Sequence, residues 1–104
     1  RRGFSPIGPW VTDMTNNPNR DNLHLGCTVN GEKRQDTQTN DMIFDISHIV
    51  SYLSTVVELF PGDVIYTGSP FGVGHGHKPP RYMKPGDVVE TTLEGVGTIR
   101  NRFV

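Results

Sequence analysis

The apolar positions change period along the chain, and that change divides it into elements. "LHLGCTVNGEKRQ" alternates apolar and polar residues around Asn30-Gly31, a pair that tolerates the positive φ angles of a two-residue hairpin turn. Strands are predicted at about 23–29 and 32–36, joined by that turn. Ile46, Ile49, Val50, Leu53, Val56 and Val57 then recur at spacings of three and four, which puts them on one stripe of a helix. Asp45 or Ser47 suits its start and Pro61-Gly62 its stop. The stripe is expected to pack on a β layer. From Asp63 the period returns to two: "DVIYTG" predicts a strand, "DVVETTLEG" alternates, and Gly95 to Gly97 turn it into "TIRNRFV". Ahead of all this lie a short apolar segment around Trp10 and Val11 and a polar loop, "TNNPNRDN". The pattern is mainly β with one helix, an α+β architecture.

Pro-Gly-Asp-Val occurs at Pro61–Val64 and again at Pro85–Val88. Each Pro-Gly suits a turn that needs one residue at positive φ, which glycine adopts cheaply. Nothing else recurs with it, so the two read as equivalent turns into strands rather than a repeat architecture.

Composition narrows the function classes. The 104 residues suit one small domain, and 34% hydrophobic residues with 12 Gly and 8 Pro favour turns and short strands over a helical bundle. A net charge of −1, with both signs dispersed, gives no footprint for nucleic acid or an anionic membrane. No apolar run approaches the roughly 20 residues of a membrane span, and no signal-peptide pattern opens the chain. Cys27 is the single cysteine, which fits a reducing, cytoplasmic location. "RRGFSPIGPW" has the character of mid-domain sequence, so a longer or paired chain is expected.

The candidate chemistry gathers in "DVIYTGSPFGVGHGHKPPRYMKPGD". His75-Gly76-His77 would let two imidazoles share an ion, but zinc needs a third protein ligand, and His24 and His48 lack ligand spacing to the pair. Ser69 is outside a G-x-S-x-G elbow, and Cys27 in an alternating strand reads as an inert buried thiol. The glycines of "GSPFGVGHG" do not match the dinucleotide fingerprint, and "HKPPRYMK" reads as a solvated face. Thr67-Gly68-Ser69 remains. Two hydroxyls and open backbone N–H groups there suit a carboxylate or enolate oxygen.

Several blocks in order, namely "IGPW", "VNGEKRQDTQTNDMIF", "YLS", "FPGDVIYTGSPFGVG", "KPPRYMKPGDVVE" and "EGVGTIRNRFV", closely resemble the C-terminal half of the fumarylacetoacetate hydrolase superfamily, collinear from about Gly3 to Val104. "TGSPFGVG" is similar to the family's Thr-Gly-Thr-Pro-x-Gly-Val-Gly, with Ser69 at the position of a substrate-contacting threonine. The resemblance implies a mixed β-roll, usually dimeric, and a partial catalytic domain over 1–104. It implies an enzyme that uses Mg²⁺, Mn²⁺ or Ca²⁺ on short 2-keto or enol acids. C–C hydrolysis, decarboxylation, isomerisation and hydration all belong to that chemistry. It also implies Thr67, Gly68 and Ser69 as substrate-binding residues.

Two departures accompany the match. The family's metal ligands, a Glu-x-Glu pair and a later Asp, precede the matched region. Glu32, Asp36, Asp41 and Glu58 fall in other motifs and read as solvated carboxylates, so the metal ligands are expected outside this chain. A lysine that commonly points into the family's site is replaced by Arg2, the candidate catalytic residue, which binds anions but is a poor proton carrier. These features leave part of a metal-dependent enzyme as the first reading, a binding or subunit module without turnover as the second, and a zinc protein on the His75–His77 loop as a third.

Overall fold

The computed structural model describes residue 3 and residues 5–104. Four strands, β1 (His24–Val29), β2 (Glu32–Gln38), β3 (Val88–Leu93) and β4 (Gly97–Arg102), form one antiparallel sheet in the order β2-β1-β3-β4. The β1–β2 hairpin turns where the sequence places it. Asn30 has φ 52° and Gly31 φ 79°, the left-handed pair that matches the twist of the flanking strands. Asn30 also joins the hairpin to β3: its N–H donates to Val88 O, its side-chain amide donates to Asp87, and its Oδ1 accepts from Val88 N–H.

The pairing of β1 with β2 slips once. Cys27 faces Gln35 and Thr28 faces Lys33, so Arg34 is an extra, unpaired residue in β2. Such a bulge bends the strand and re-aims the side chain it carries.

The two Pro-Gly-Asp turns are built alike. Gly62 and Gly86 sit at φ 100° and 95°. In each turn the aspartate carboxylate accepts the N–H three residues back, Phe60 to Asp63 and Lys84 to Asp87, both at 2.8 Å. Only the second leads into a paired strand. "DVIYTG" has no ladder among the described residues, which corrects the strand expected there. Its alternation survives, with Ile65 half-buried between exposed Val64 and Tyr66. Alternation marks an extended chain, whereas a strand also requires a partner for its backbone groups.

The helix, α1 (Ile46–Ser54), starts as its sequence dictates: Asp45 accepts the His48 N–H at 2.7 Å. Asp45→Ala should cost about 0.5–2 kcal/mol in the stability of the folded protein. A denaturant midpoint unmoved by the substitution would show that the cap is idle. The helix is shorter than its stripe. Val56 and Val57 lie beyond it, both donating to Leu53 O, because a run of three β-branched residues, Thr55–Val57, propagates a helix poorly.

Packing of the stripe on a β layer is corrected too. The substantial contacts between elements are those of neighbouring strands, Ile49 and Leu53 are half-buried, and Ile46 and Val50 are exposed. Among the described residues the buried apolar side chains are Leu23, Cys27 and Val29, while Val11, Ile43 and Phe71 are more than 90% exposed at 91%, 93% and 97%. Large apolar surface left in water on this scale marks contact surface rather than ordinary exterior. No helix is long and apolar enough to cross a membrane among the described residues.

Candidate functional site

One face of the sheet carries Leu25, Cys27 and Val29 of β1 with Gln35 and Thr37 of β2, and the Gly-Pro loop lies across it. Two contacts fix that loop. Gln35 Nε2 donates to Pro70 O at 3.0 Å. Two residues on, Gly72 (φ 104°) presses its backbone against β2, so that a Cβ there would stand 2.0 Å from Arg34 O. Gly74 meets the returning chain as closely, 2.2 Å from Arg81 O for a Cβ, and Arg81 N–H donates to Gly74 O. The Gly-Val-Gly of the loop is therefore a packing requirement at both glycines.

These contacts place Thr67, Gly68 and Ser69 on the wall of a cleft of about 580 Å³. The facing wall is the end of β2 and the short 3-10 turn Thr39–Asp41, followed by Met42–Phe44. Gly68 has φ 104° with nothing within reach of a Cβ, so the bend at the extended segment's end leaves open space beside it. Thr37 Oγ1 donates to Asp41 at 2.6 Å, which orients this carboxylate within the cleft. Asp41 lines the cleft, as do the neighbouring apolar Ile43 and Phe71.

The cleft thus joins the two most distinctive blocks, "TGSP" and "QDTQTNDMIF". The sequence did not single out Thr37 and read Asp41 as a solvated carboxylate, whereas the fold sets both on the cleft wall. Arg2 lies outside the described residues. His75 and His77 do not line the cleft. His75 Nδ1 meets the Tyr82 hydroxyl at 2.8 Å, and the His77 ring is half-buried.

Hard divalent cations take several oxygen ligands, whereas no group of three His, Cys, Asp or Glu side chains is arranged to hold a metal among the described residues. The cleft's donors, one carboxylate with hydroxyls, do not fit such an ion by themselves.

Beyond the loop, Glu32 forms a bidentate pair with Arg81 at 2.7 and 2.8 Å. The Arg81 hydrogen bonds hold the Glu32 carboxyl below the usual range, against a smaller opposing effect of desolvation. A carboxylate depressed in the fold contributes stability above the ordinary Glu range and loses it as pH falls through the folded value. An NMR titration of the Glu32 carboxyl carbon should therefore give a midpoint below that of an unpaired Glu, restored in Arg81→Gln. An identical midpoint in both proteins would mean that the pair is absent in solution.

The sequence of residues 1–104 matches the family model described as fumarylacetoacetate hydrolase C-terminal. The chain belongs to this family. Its antiparallel sheet and single helix are consistent with the family's α+β fold. A protein from Mycobacterium smegmatis provisionally called HpcE is 49% identical, with a TM-score of 0.93 over 98% of this chain and 38% of its own. The 2-hydroxyhepta-2,4-diene-1,7-dioate isomerase of Mycobacterium marinum is 40% identical, with a TM-score of 0.80 over 95% of this chain and 35% of its own. Maleylpyruvate hydrolase from Sphingobium sp. SYK-6 is 36% identical, with a TM-score of 0.81 over 95% and 35% respectively. The chain spans about a third of the length of the curated relatives it matches, 32% in the Staphylococcus aureus proteins.

Proposed function

We propose that these residues are the substrate-gripping part of a fumarylacetoacetate hydrolase family enzyme acting on short 2-keto or enol acids. The observation that supports this most is the cleft itself, in which the Thr67–Ser69 bend faces the Thr37–Asp41 segment. In this reading the Ser69 hydroxyl and neighbouring backbone N–H groups donate to the ligand carboxylate. Neutral donors fixed in place hold an anion without the cost of burying an opposite charge. Thr67 adds a second hydroxyl. Ile43 and Phe71 add apolar surface to the cleft for the acid's carbon chain.

Mg²⁺, Mn²⁺ or Ca²⁺ belongs to this proposal with ligands supplied from outside these 104 residues, in keeping with the third of relative length that the chain spans. The residues present carry no step that runs through the ion. Among family relatives both an isomerase and a hydrolase share this segment's fold, so the segment suits the ligand end common to both reactions.

The test is a steady-state assay of the native-length protein with Mg²⁺ against a panel of acylpyruvates, oxaloacetate and the matching 2-hydroxy acids. Turnover confined to the keto and enol acids is the expected result. Saturable binding of those acids with no turnover would favour the binding module instead.

A further inference from the structure

A second pocket, of about 220 Å³, lies on the far side of the same loop, between Val73-Gly74 and Arg81–Met83. Ser69 belongs to the walls of both cavities, but the rest of the lining is different in kind. Here the floor is Cys27 and Val29, and the charged groups are Arg34, Arg81 and Asp87.

Arg34 is the residue this pocket is built around. It is the extra residue of the β2 bulge, and a bulge turns a side chain away from the direction that regular pleating would give it. Its side chain is only 14% exposed. A guanidinium that deep in a protein normally has its five N–H donors engaged with carboxylates or carbonyls. Among the described residues Arg34 Nε has no hydrogen-bond partner, and the guanidinium's approach to a carboxylate is a 3.6 Å contact of Nη2 with Glu32. The nearby acids are committed elsewhere. Both Glu32 oxygens serve Arg81, and the Asp87 oxygens accept from Asn30 Nδ2 and from Lys84 N–H. Arg81 has a bidentate carboxylate partner, whereas Arg34, which lines the cavity, has only the more distant charges of Glu32 and Asp87.

We infer that this pocket is an anion subsite in which Arg34 receives a small carboxylate. The planar fork of a guanidinium matches the two oxygens of a carboxylate. The cavity's apolar floor suits the short carbon chain behind them. With the Arg81–Glu32 pair closed, the lining holds one free guanidinium, Arg34, and one carboxylate, Asp87, a balance that opposes a multiply charged phosphate. Gly72 and Gly74 make the pocket possible, because a side chain at either would collide with the backbone that frames it. The subsite is argued from this pocket alone and stands or falls apart from the cleft.

The test is an amide-shift titration of the native-length protein with sodium acetate, and in parallel with acetamide, its neutral isostere. Saturable shifts with acetate at Cys27, Gly72, Gly74 and Tyr82, absent with acetamide, are expected. In Arg34→Gln the acetate affinity at these amides should fall by about tenfold or more, and Arg34→Lys, which keeps the charge but loses the fork, should fall between the two. Equal responses to acetate and acetamide would overturn the inference, as would undiminished acetate binding in a folded Arg34→Gln protein. Should Arg34→Gln fail to fold, the wild-type comparison and the lysine variant decide. Acetate shifts confined to Thr37, Thr39 and Phe71 would remove the subsite while leaving the cleft reading intact. Succinate then separates two sources of the carboxylate. Succinate binding tighter than acetate, with pocket and cleft amides shifting together, identifies the far end of a dicarboxylic substrate. No gain over acetate identifies a separate small acid.

Discussion

In the proposed reading, Ser69→Ala should lower kcat/KM for the preferred keto acid by about ten- to a hundred-fold, because a hydrogen bond to a charged group is worth roughly 1.5–3 kcal/mol. The loss arises from where the hydroxyl stands. Ser69 follows the Thr67-Gly68 bend at the end of an extended segment and lines the cleft, so its oxygen is placed for a ligand rather than for the core. The thermal transition should stay in place, since Ser69 is exposed. Ser69→Thr retains the hydroxyl and should keep most of the activity. Unchanged kinetics in Ser69→Ala, measured with the acid that turns over best, would reduce the hydroxyl to part of a turn.

Gly72→Ala is the second large effect, and it acts on structure first. The glycine's φ of 104° is a conformation that L side chains rarely adopt, and a Cβ would lie 2.0 Å from the carbonyl oxygen of Arg34. Backbone atoms of a strand cannot swing aside as a side chain does, so the loop must lift. Strain and the forced shift together should cost about 2–5 kcal/mol. The Gln35–Pro70 hydrogen bond, two residues away, would be lost with the loop's position. Urea unfolding should show a lower midpoint. Ligand affinity should fall in parallel, because the same loop walls the cleft. By contrast Gly86→Ala, at a turn with open space around its Cβ position, should cost only the backbone term. Equal losses from the two substitutions would mean that the close approach at Gly72 does not exist in solution.

Much of the fold was legible because its signals are local. Asn30-Gly31 states its own turn, Asp45 its own cap, and the alternation after Asp87 its own strand. The helix length misled because apolar spacing continues through Val56 and Val57 while the β-branched run ends the helix at Ser54. "DVIYTG" misled for a different reason: periodicity describes one chain, and a ladder needs two. The candidate cleft was half legible. Thr67–Ser69 stood out by residue type, but Thr37 and Asp41 join them only through contacts between distant segments. The bulge at Arg34 left no trace in the periodicity, because one extra residue in a short polar strand looks like ordinary alternation.

The extent of exposed apolar surface bears on what these residues need around them. The three apolar side chains buried among the described residues cannot offset the chain entropy of ordering some hundred residues. The chain spans about a third of the length of the curated relatives it matches. The same consideration places measurements of ligand binding on the native-length protein.

The central claim is that the cleft between Thr67–Ser69 and Thr37–Asp41 grips the carboxylate of a short 2-keto acid. Oxalate, a planar stand-in for the pyruvate enolate, tests it most directly in a crystal structure of the native-length protein with Mg²⁺. The account predicts an oxalate oxygen within hydrogen-bonding distance of Ser69 Oγ and of a backbone N–H in the 67–69 bend. Oxalate bound with no contact to this bend would contradict it.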